Sequence, residues 1–236
     1  MPGLIESATA ILSSTERRLE TISSNVANAS TAGFKRQVNF ADVLAGGGRT
    51  ADGTTLRLHS DMAQGRLNRT ENPLDIAISG GGLFQLRAGD EIVYSRQGQF
   101  RLAEDGTVVS GQGYVLQQAG GGDLVLQSAS VQITEDGAVL DQGRPVGRIA
   151  VYAPAEGVRL APTGGGTVFV AEAGEMEEVA SPALRQGMIE ASNVQLGDEM
   201  VAMMAALRQA EGGARLVQVY DDLLGRAITA FGQGGK

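Results

Sequence analysis

The two ends of the chain carry the same apolar repeat, whereas the middle carries a different one. From Met1 to about Ala29, and again from Leu196 onward, apolar or small residues recur mostly four and three positions apart. This repeat predicts amphipathic helices with a narrow apolar stripe, as in coiled coils. Between them, "NPLDIAIS" alternates large apolar residues with polar or small ones, a pattern typical of half-buried strands. We therefore expect an α+β fold, in which paired N- and C-terminal coiled-coil-like helices carry a central all-β domain of short strands and hairpins.

Each terminal helix has too little apolar surface to be stable alone. A helix with one narrow stripe frays in water, and Gly212 and Gly213 cost the second helix ~1 kcal/mol each relative to alanine. We expect the two helices to pair and to become fully ordered when other copies cover the stripes, which we call the assembly seams. The N-terminal seam is predicted to comprise Leu4, Ala8, Ile11, Leu19, Ile22 and Val26, and the C-terminal seam Met200, Met203, Leu207, Val217 and Leu224.

The middle of the chain consists of short apolar pieces separated by turn signals. The stretch "EDGTVVSGQGYVL" from Glu104 is echoed by "EDGAVLDQGRPVG" from Glu135, and we interpret both as hairpins of one β-domain. The Asp-Gly pair in each suits a type I′ turn, in which both central residues have positive φ. The predicted organisation is an N-terminal helix over 1–35, an extended arm or linker over 36–72, the β-domain over 73–185 and a C-terminal helix over 186–236.

The sequence offers little material for catalysis. His59 is the only histidine and cysteine is absent, so His-based and thiolate metal sites and a Ser-His-Asp arrangement have almost nothing to draw on. Paired carboxylates occur at Glu104-Asp105 and Glu135-Asp136 and could serve a glycosidase, but turn chemistry explains them better because each pair precedes a glycine. We expect no catalytic, cofactor-binding or metal-binding residues. A periplasmic carbohydrate-active or binding β-protein stays open as the alternative class.

Charge and hydropathy restrict the partners and the compartment. The net charge of −8, without a run of basic residues, argues against nucleic acid. Since no apolar run approaches the ~18 residues needed to cross a bilayer, we expect no membrane span. The first residues lack a basic n-region and an unbroken apolar h-region, so we expect no cleaved signal peptide.

Four stretches together resemble one known family. The sequence "NVANASTAGFKR" (residues 25–36) resembles the N-terminal signature of the bacterial flagellar rod and hook proteins. "NPLDIAISGGGLFQL" (72–86) is similar to the start of that family's β-domain, and "YSRQGQFRLAEDGTVVSGQGYVL" (94–116) to the stretch that follows it. "QGMIEASNVQLGDEMVAMM" (186–204) resembles the C-terminal signature. The four matches occur in the order that the family shows.

This resemblance implies a structural subunit without enzymatic activity. In the family, terminal helices pair and form the inner tube of the flagellar axial structure, which transmits torque and encloses the export channel, and the β-domain lies outside. The implied partners are copies of the chain, other rod proteins such as the distal rod protein, and the flagellar export apparatus. The implied location is the basal-body rod in the periplasm, reached without a cleaved signal. A single β-domain favours the proximal over the distal part of the rod, although "FADVL" (40–44) also resembles the distal rod protein.

The family signatures supply three further groups of candidate residues. We expect the first group to fix the angle at which the helical core continues into the β-domain, the alternative being an ordinary helix stop with local capping. This helix-exit motif comprises Asn25, Asn28, Thr31, Gly33, Phe34 and Lys35. The start of the β-domain is marked by Asn72, Pro73, Leu74 and Asp75, and the C-terminal motif by Glu190, Ser192, Asn193 and Glu199 in addition to the seam.

Overall fold

The structure, a computed structural model, describes residues 2–41, 56–171 and 175–233. Over these ranges the chain begins with helix α1 (Pro2–Ala27), continues through a series of short strands and ends with helix α2 (Leu196–Gln233). This arrangement confirms the α+β prediction of an N-terminal helix, a central β-strand domain and a C-terminal helix. Within the described part of the chain, neither helix has an apolar stretch long enough to cross a membrane.

Most strands are three to five residues long. In chain order they are β1 (Gln37–Ala41), β2 (Leu56–Ser60), β3 (Leu67–Arg69), β4 (Ile76–Ile78), β5 (Leu83–Ala88), β6 (Glu91–Ser95), β7 (Phe100–Leu102), β8 (Val108–Ser110), β9 (Val115–Leu116), β10 (Val131–Ile133), β11 (Ala138–Asp141), β12 (Arg144–Arg148), β13 (Val151–Pro154), β14 (Leu160–Thr163), β15 (Val168–Ala171), β16 (Met176–Glu178), β17 (Leu184–Gln186) and β18 (Met188–Glu190). A short 3₁₀ turn, Gly164–Gly166, lies between β14 and β15.

The largest sheet has nine strands. Seven of them follow the order β14-β15-β6-β5-β9-β8-β7, while β13 pairs with β5 and with β16. Smaller sheets join β10-β11-β12, β17-β4, β18-β3 and β1-β2. Neighbours in the chain such as β5 and β6, or β7 and β8, pair antiparallel, because short loops permit only that direction.

The core of the β-strand domain is aliphatic around two phenylalanines. Phe84 and Phe100 meet edge to face with ring centroids 5.4 Å apart. All three residues of β4 are buried, as are Leu74 and Asp75 just before it. The prediction of a half-buried strand at "NPLDIAIS" is therefore wrong. Ala77 is small enough to be enclosed on the second face, and β17 covers the strand edge.

The two Asp-Gly turns have the same geometry, which differs from the predicted type I′. In the first, the amide of Gly106 donates to Ala103 O at 3.0 Å, and the amide of Ala103 donates to Thr107 O at 2.9 Å. In the second, the amide of Gly137 donates to Thr134 O at 3.0 Å, and the amide of Thr134 donates to Ala138 O at 2.9 Å. Only the glycines have positive φ, at 84° and 91°. Each loop is thus a type I turn followed by a left-handed glycine, which the three-residue Glu-Asp-Gly spacing favours over a two-residue turn.

The chain divides into two compact units. The helical unit comprises residues 1–26, 39–57 and 195–236, and the β unit comprises residues 27–38 and 58–194. The first helix ends at Ala27, so the last residues of the predicted segment 1–35 form a turn. The predicted arm, 36–72, contains β1, β2 and β3, and its residues 42–55 lie outside the described ranges. Residues 186–194 of the predicted C-terminal segment belong to the β unit.

Helix α2 continues without a break through its two glycines, which have different surroundings. A Cβ on Gly212 would meet nothing within 4 Å, whereas one on Gly213 would lie 3.1 Å from Leu12 Cδ2 and 3.4 Å from Ile11 Cγ2. Gly213 therefore allows α1 to approach α2 closely.

These surroundings predict opposite outcomes for a matched pair of variants. Gly212→Ala should raise the free energy of unfolding of the helical unit by ~1 kcal/mol, because alanine is the better helix former and nothing obstructs it. Gly213→Ala should gain less or lose stability, because Leu12 must shift. Thermal melts followed by circular dichroism at 222 nm would compare the two, and equal stabilisation would contradict the close approach at Gly213.

Candidate functional site

The segment after α1 makes a sharp turn at Gly33, inside the β unit. Gly33 has φ of +71°, a region that favours glycine, and its amide donates to Glu190 O at 2.8 Å. A Cβ at this position would lie only 2.4 Å from the amide nitrogen of Gln97. Glycine is therefore required for two reasons: the backbone conformation has positive φ, and the backbone of Gln97 leaves no space for a Cβ.

The rest of the helix-exit motif forms the turn and covers part of the core. Thr31 donates from its amide to Asn28 O at 3.0 Å and from Oγ1 to Asn28 Oδ1 at 3.2 Å. Phe34 is fully buried, and its amide donates to Thr31 O at 3.3 Å. A Cβ on Gly166 would stand 2.9 Å from the Phe34 ring, so the 3₁₀ turn lies directly against this aromatic.

Lys35 leads into a buried group of charges, which we call the ion cluster: Lys35, Arg96 and Glu190. Lys35 Nζ lies 2.7 Å from Glu190 Oε1, and Arg96 Nε lies 2.9 Å from Glu190 Oε2. The three side chains are exposed by 1%, 3% and 1%. One carboxylate thus faces two cations in a site from which water is almost excluded.

Main-chain groups complete the ion cluster around the lysine and the glutamate. Lys35 Nζ also donates to Ala63 O at 2.7 Å, and the amide of Gly65 donates to Glu190 Oε1 at 2.7 Å. Buried charges are tolerated when they are paired and hydrogen-bonded in this way. The cluster therefore connects the exit motif, the segment around residues 63–65 and strand β18.

Arg96 extends the cluster to the loop between β4 and β5. Its Nη1 donates to Gly82 O at 2.7 Å, and its Nη2 donates to Gly80 O. The planar guanidinium reaches a carboxylate and two carbonyls at once, which an ammonium group could not do with the same geometry. Through these two carbonyl contacts, Arg96 holds the backbone of the glycine-rich stretch "SGGG" in place.

Burial shifts the ionisation of both cations in the same direction. Desolvation lowers the pKa of Lys35 below its usual 10.5, although the hydrogen bond and the charge of Glu190 oppose this effect. The pKa of Arg96 is lowered for the same reason, and Glu190 again opposes. The carboxylate is therefore what keeps the two cations charged inside the protein.

The lowered pKa of Lys35 predicts how stability depends on pH. Between the folded-state pKa and the unfolded value of 10.5, the unfolded chain binds more protons at this residue, so its contribution to the free energy of unfolding rises with pH. Below the folded-state pKa the contribution is constant. Relative to Lys35→Met, the wild type should therefore gain stability as the pH rises toward 10.5. Burial raises the pKa of Tyr94 and Tyr152, and this lowers the free energy of unfolding as the pH rises. Because both tyrosines are present in the wild type and in the variant, their contribution cancels in the comparison. A pH-independent difference between the two proteins would contradict the assignment.

Asn193 of the C-terminal motif bridges backbone segments of the β unit. Its Oδ1 accepts from the amide of Arg36 at 2.6 Å, and its Nδ2 donates to Asp61 O at 2.8 Å and to Ala63 O at 3.0 Å. Ser192 acts more locally, since its Oγ accepts from the amide of Val194 at 3.2 Å. Glu190 and Asn193 thus contact the segment after α1 on one side and residues 61–65 on the other.

The predicted start of the β-domain is a compact turn. Asn72 Oδ1 accepts from the amide of Leu74 at 3.3 Å, and its Nδ2 donates to Asp75 Oδ1 at 3.0 Å. Asp75 O accepts from the amide of Gly187 at 2.7 Å, and Pro73 O accepts from the side chain of Gln186 at 2.9 Å. These residues therefore join the first and last parts of the β unit.

In the helical unit, two buried polar residues link the helices. Asn25 Nδ2 on α1 donates to Glu199 Oε2 on α2 at 3.3 Å, and the residues are exposed by 1% and 0%. Both belong to the motifs predicted from the sequence. Their contact places the C-terminal part of α1 beside the N-terminal part of α2.

The predicted N-terminal seam residues lie largely on the covered side of α1. Ala8 and Ile22 are buried, while Ile11, Leu19 and Val26 are half-buried. The side chain of Leu4 lies outside the described part of the structure. Their role in assembly stays a prediction.

The predicted C-terminal seam residues are more exposed. Met200 and Leu207 are 61% and 48% exposed, and Met203 and Val217 are half-buried. The side chain of Leu224 is not described. Among the α2 side chains that the structure describes, the buried positions are instead Glu199, Ala206 and Gly213, which follow one another at seven-residue intervals.

Arg96 is the member of the ion cluster that the sequence analysis did not select. Its stretch, "YSRQGQF", was assigned to the family pattern without a role for the arginine. A usable signal existed, because Lys35, Arg96 and Glu190 stand in three different signatures of one family. Among the described residues, no group of three or more histidines, cysteines, aspartates or glutamates could hold a metal ion.

Comparison with known proteins places these motifs in one family. Three family profiles match in chain order: "Flagella basal body rod protein" at residues 6–35, "Flagellar hook protein FlgE/F/G D1 domain" at 77–140 and "Flagellar basal body rod FlgEFG protein C-terminal" at 185–230. The flagellar basal-body rod protein FlgG of Bacillus subtilis is 30% identical over 245 residues, covering 89% of this chain and 91% of the relative. The chain belongs to the flagellar basal-body rod protein family.

Further relatives carry either of two names. The rod protein FlgF of Mesorhizobium japonicum is 30% identical over 223 residues and covers 92% of each chain. FlgF of Salmonella typhimurium is 29% identical over 246 residues, with 96% of this chain and 97% of the relative covered. This is a family of structural proteins of the flagellar rod, which takes part in motility. The ion cluster joins one residue from each of the three matched profiles: Lys35, Arg96 and Glu190.

Proposed function

We propose that this chain is a structural subunit of the flagellar rod that assembles helically through its terminal helices. In this role it would transmit torque along the axis, enclose the export channel and perform no catalysis. One observation carries the assembly step: large apolar side chains stand exposed along α2, among them Met200, Val201, Met204 and Leu207, at 48% to 64% exposure. A row of exposed apolar side chains on a helix is typical of a protein interface.

The pairing of the terminal helices in a coiled-coil-like manner is part of this proposal. It is supported by the buried contact between Asn25 and Glu199 and by the close approach at Gly213, where Leu12 and Ile11 of α1 lie against α2. The seven-residue spacing of Glu199, Ala206 and Gly213 is the spacing of a heptad.

Within the rod, we propose the proximal position. The FlgF relative of Mesorhizobium japonicum aligns over 223 positions with 92% of this chain, whereas FlgG of Bacillus subtilis needs 245 positions for 89% of it. The FlgG relative therefore carries additional residues that this chain lacks, and FlgF of Salmonella typhimurium, aligned over 246 positions with 96% of this chain, does so to a smaller extent. FlgF and FlgG name the proximal and distal rod proteins, respectively. The distal position is the second candidate, since the two identities are equal.

The partners and the location follow from this role. We propose that the chain contacts copies of itself and other rod components, including the distal rod protein. It would be exported by the flagellar export apparatus and would reside in the periplasmic part of the basal body.

A tagged chain would test the proposal in cells that lack the native copy. We expect it to restore swimming and to be found by immuno-electron microscopy in the proximal half of the rod in isolated basal bodies. A label in the distal half would overturn the proximal assignment alone. Absence of the chain from basal bodies, in cells that do express it, would overturn the rod function.

Helicity as a function of concentration gives an independent test in solution. The terminal helices should gain circular dichroism signal at 222 nm as the purified chain assembles, because other copies then cover their apolar surface. Full and concentration-independent helicity in a monomer would contradict the expectation that these helices depend on neighbours.

A further inference from the structure

The helical unit carries an acidic groove on one side. The groove has a volume of about 550 Å³ and is lined by Leu12, Thr15, Glu16, Leu19, Glu20, Ser23 and Ala210. In this lining Thr15 is buried and Leu12 and Leu19 are half-buried, whereas Glu16 and Glu20, one helical turn apart, are exposed and form the rim. Like charges four residues apart destabilise a helix slightly when nothing compensates them. The groove thus fits an apolar surface that brings positive charge.

The outer face of α2 combines exposed apolar residues with a small excess of positive charge. At 100° per residue, Arg208, Arg215 and Arg226 fall within about 20° of one another around the helix, and Arg215 lies about 180° from the buried Ala206. Two exposed carboxylates, Glu211 and Asp222, lie within about 60° of these arginines, which leaves the arginines in excess by one. All three arginines are exposed. Large apolar residues border this line of arginines, and they are exposed as well: Val201 64%, Leu216 48%, Val219 56% and Leu223 58%.

We propose that the outer face of α2 in one copy of the chain docks into the acidic groove of a second copy. Glutamates at the groove rim meet arginines of the incoming helix, and the apolar residues beside those arginines fill the groove. This inference rests on the proposed rod function, and it specifies which surfaces of the subunit meet.

The two surfaces dictate the type of assembly. The groove and the outer face lie on different parts of the same helical unit, so each copy can receive one neighbour and be received by another. A heterologous contact of this kind extends into a ring or a helical filament, whereas an isologous contact stops at a dimer. The surfaces therefore suit a subunit that is added repeatedly along an axis.

Cross-linking can read this arrangement directly, since the natural chain has no cysteine. The variant Ser23→Cys/Gly212→Cys places one thiol at the groove and one in the middle of the outer face, where Gly212 has open space around it. Purified full-length protein treated with a flexible bismaleimide should give a ladder of dimers, trimers and longer species. The control Ser23→Cys/Ala214→Cys moves the second thiol about 160° around α2, to an exposed position away from the outer face.

The single-cysteine variants and the control should give no ladder beyond traces. If the control gives an equal ladder, or if Ser23→Cys/Gly212→Cys gives none, the proposal is overturned. Dimers formed by one single-cysteine variant alone would indicate an isologous contact and would also overturn it. A ladder that forms only after another rod component is added would assign the groove to that different protein instead.

Charge reversal tests the ionic part of the contact. In the double-cysteine background, Glu16→Arg/Glu20→Arg should lower the cross-linked fraction by at least about tenfold at low salt. Adding Arg208→Glu/Arg215→Glu to the same chain should restore most of it, because the complementarity between copies returns with opposite signs. The effect should weaken at high salt, since exposed charges are screened. No loss on reversal, or no recovery with the swap, would count against the assignment.

These outcomes are separable from those of the proposed function. Incorporation of the wild-type chain into basal bodies tests the rod function whatever the groove binds. If that chain is incorporated and the charge-reversed chain is incorporated equally well, the docking surfaces are wrong and the rod function stands.

Discussion

Replacing Gly33 by valine should cost the β unit at least ~3 kcal/mol of stability and abolish function in the rod. Two effects add at this position. A β-branched residue is strained at φ of +71°, and its Cβ would collide with the Gln97 backbone at 2.4 Å. Because backbone, unlike a side-chain end, cannot move aside at low cost, the turn must open. Opening it would break the bond from the Gly33 amide to Glu190 O.

Gly89→Val is the matched control for this variant. Gly89 has nearly the same conformation, with φ of +65°, but a Cβ there would meet nothing within 4 Å. The Gly89→Val variant should lose only the stability that the strained backbone conformation costs a valine, ~1–2 kcal/mol. Urea unfolding followed by tyrosine fluorescence is suitable, since tryptophan is absent and three of the four tyrosines, Tyr94, Tyr114 and Tyr152, lie in the β unit. Swimming with Gly33→Val would count against the hypothesis that this turn serves assembly, and equal losses in the two variants would exclude the close approach.

Removing the charge of Glu190 should have the second large effect. Glu190→Gln preserves the shape of the side chain but leaves Lys35 and Arg96 buried without a counter-charge. Breaking a buried ion pair from one side typically costs ~3–5 kcal/mol, mostly through the charge that stays behind. We expect a loss in that range, measured by urea unfolding of the purified chain at neutral pH.

A compensating variant and a surface control sharpen this test. Lys35→Met in the Glu190→Gln background should recover part of the loss, because it removes one of the two uncompensated cations. Glu135→Gln removes the carboxylate of an exposed pair with Arg185, whose side chains are 68% and 46% exposed, and should cost less than ~1 kcal/mol. If Glu190→Gln were as mild as Glu135→Gln, the ion cluster would contribute little to the fold.

Local patterns in the sequence predicted the elements of this fold well. The four-three repeats became α1 and α2, and the two Glu-Asp-Gly stretches became two hairpin turns with identical hydrogen bonds. Where local reasoning failed, packing from distant residues decided the outcome. "NPLDIAIS" alternates like a half-buried strand, yet β17, more than a hundred residues later, pairs with β4, and all of β4 is enclosed. The prediction of a type I′ turn was wrong because the loop length outweighed the preference of the Asp-Gly pair for that turn.

The sequence predicted which residues belong to the candidate site, but not how these residues are arranged. Gly33, Lys35, Glu190 and Asn193 were all selected, and the structure brings them together in the β unit. What periodicity could not show is that Lys35 is buried, since a lysine beside an arginine after a helix normally faces solvent. Likewise, Glu199 is a charged residue at a buried position of α2. The seam residues were chosen for hydrophobicity, and that criterion cannot place a glutamate or a glycine at a helix contact.

The ion pair between Lys35 and Glu190 spans 155 residues of the chain. A ribosome makes the lysine long before the glutamate, so during synthesis the cation has no counterpart, and the enclosed site around it cannot close. Any product that stops short of β18 keeps that site open and its backbone accessible to proteases. Only a polypeptide that has been synthesised at least as far as Glu190, in its C-terminal signature, can therefore close this site and adopt the folded form of the β unit.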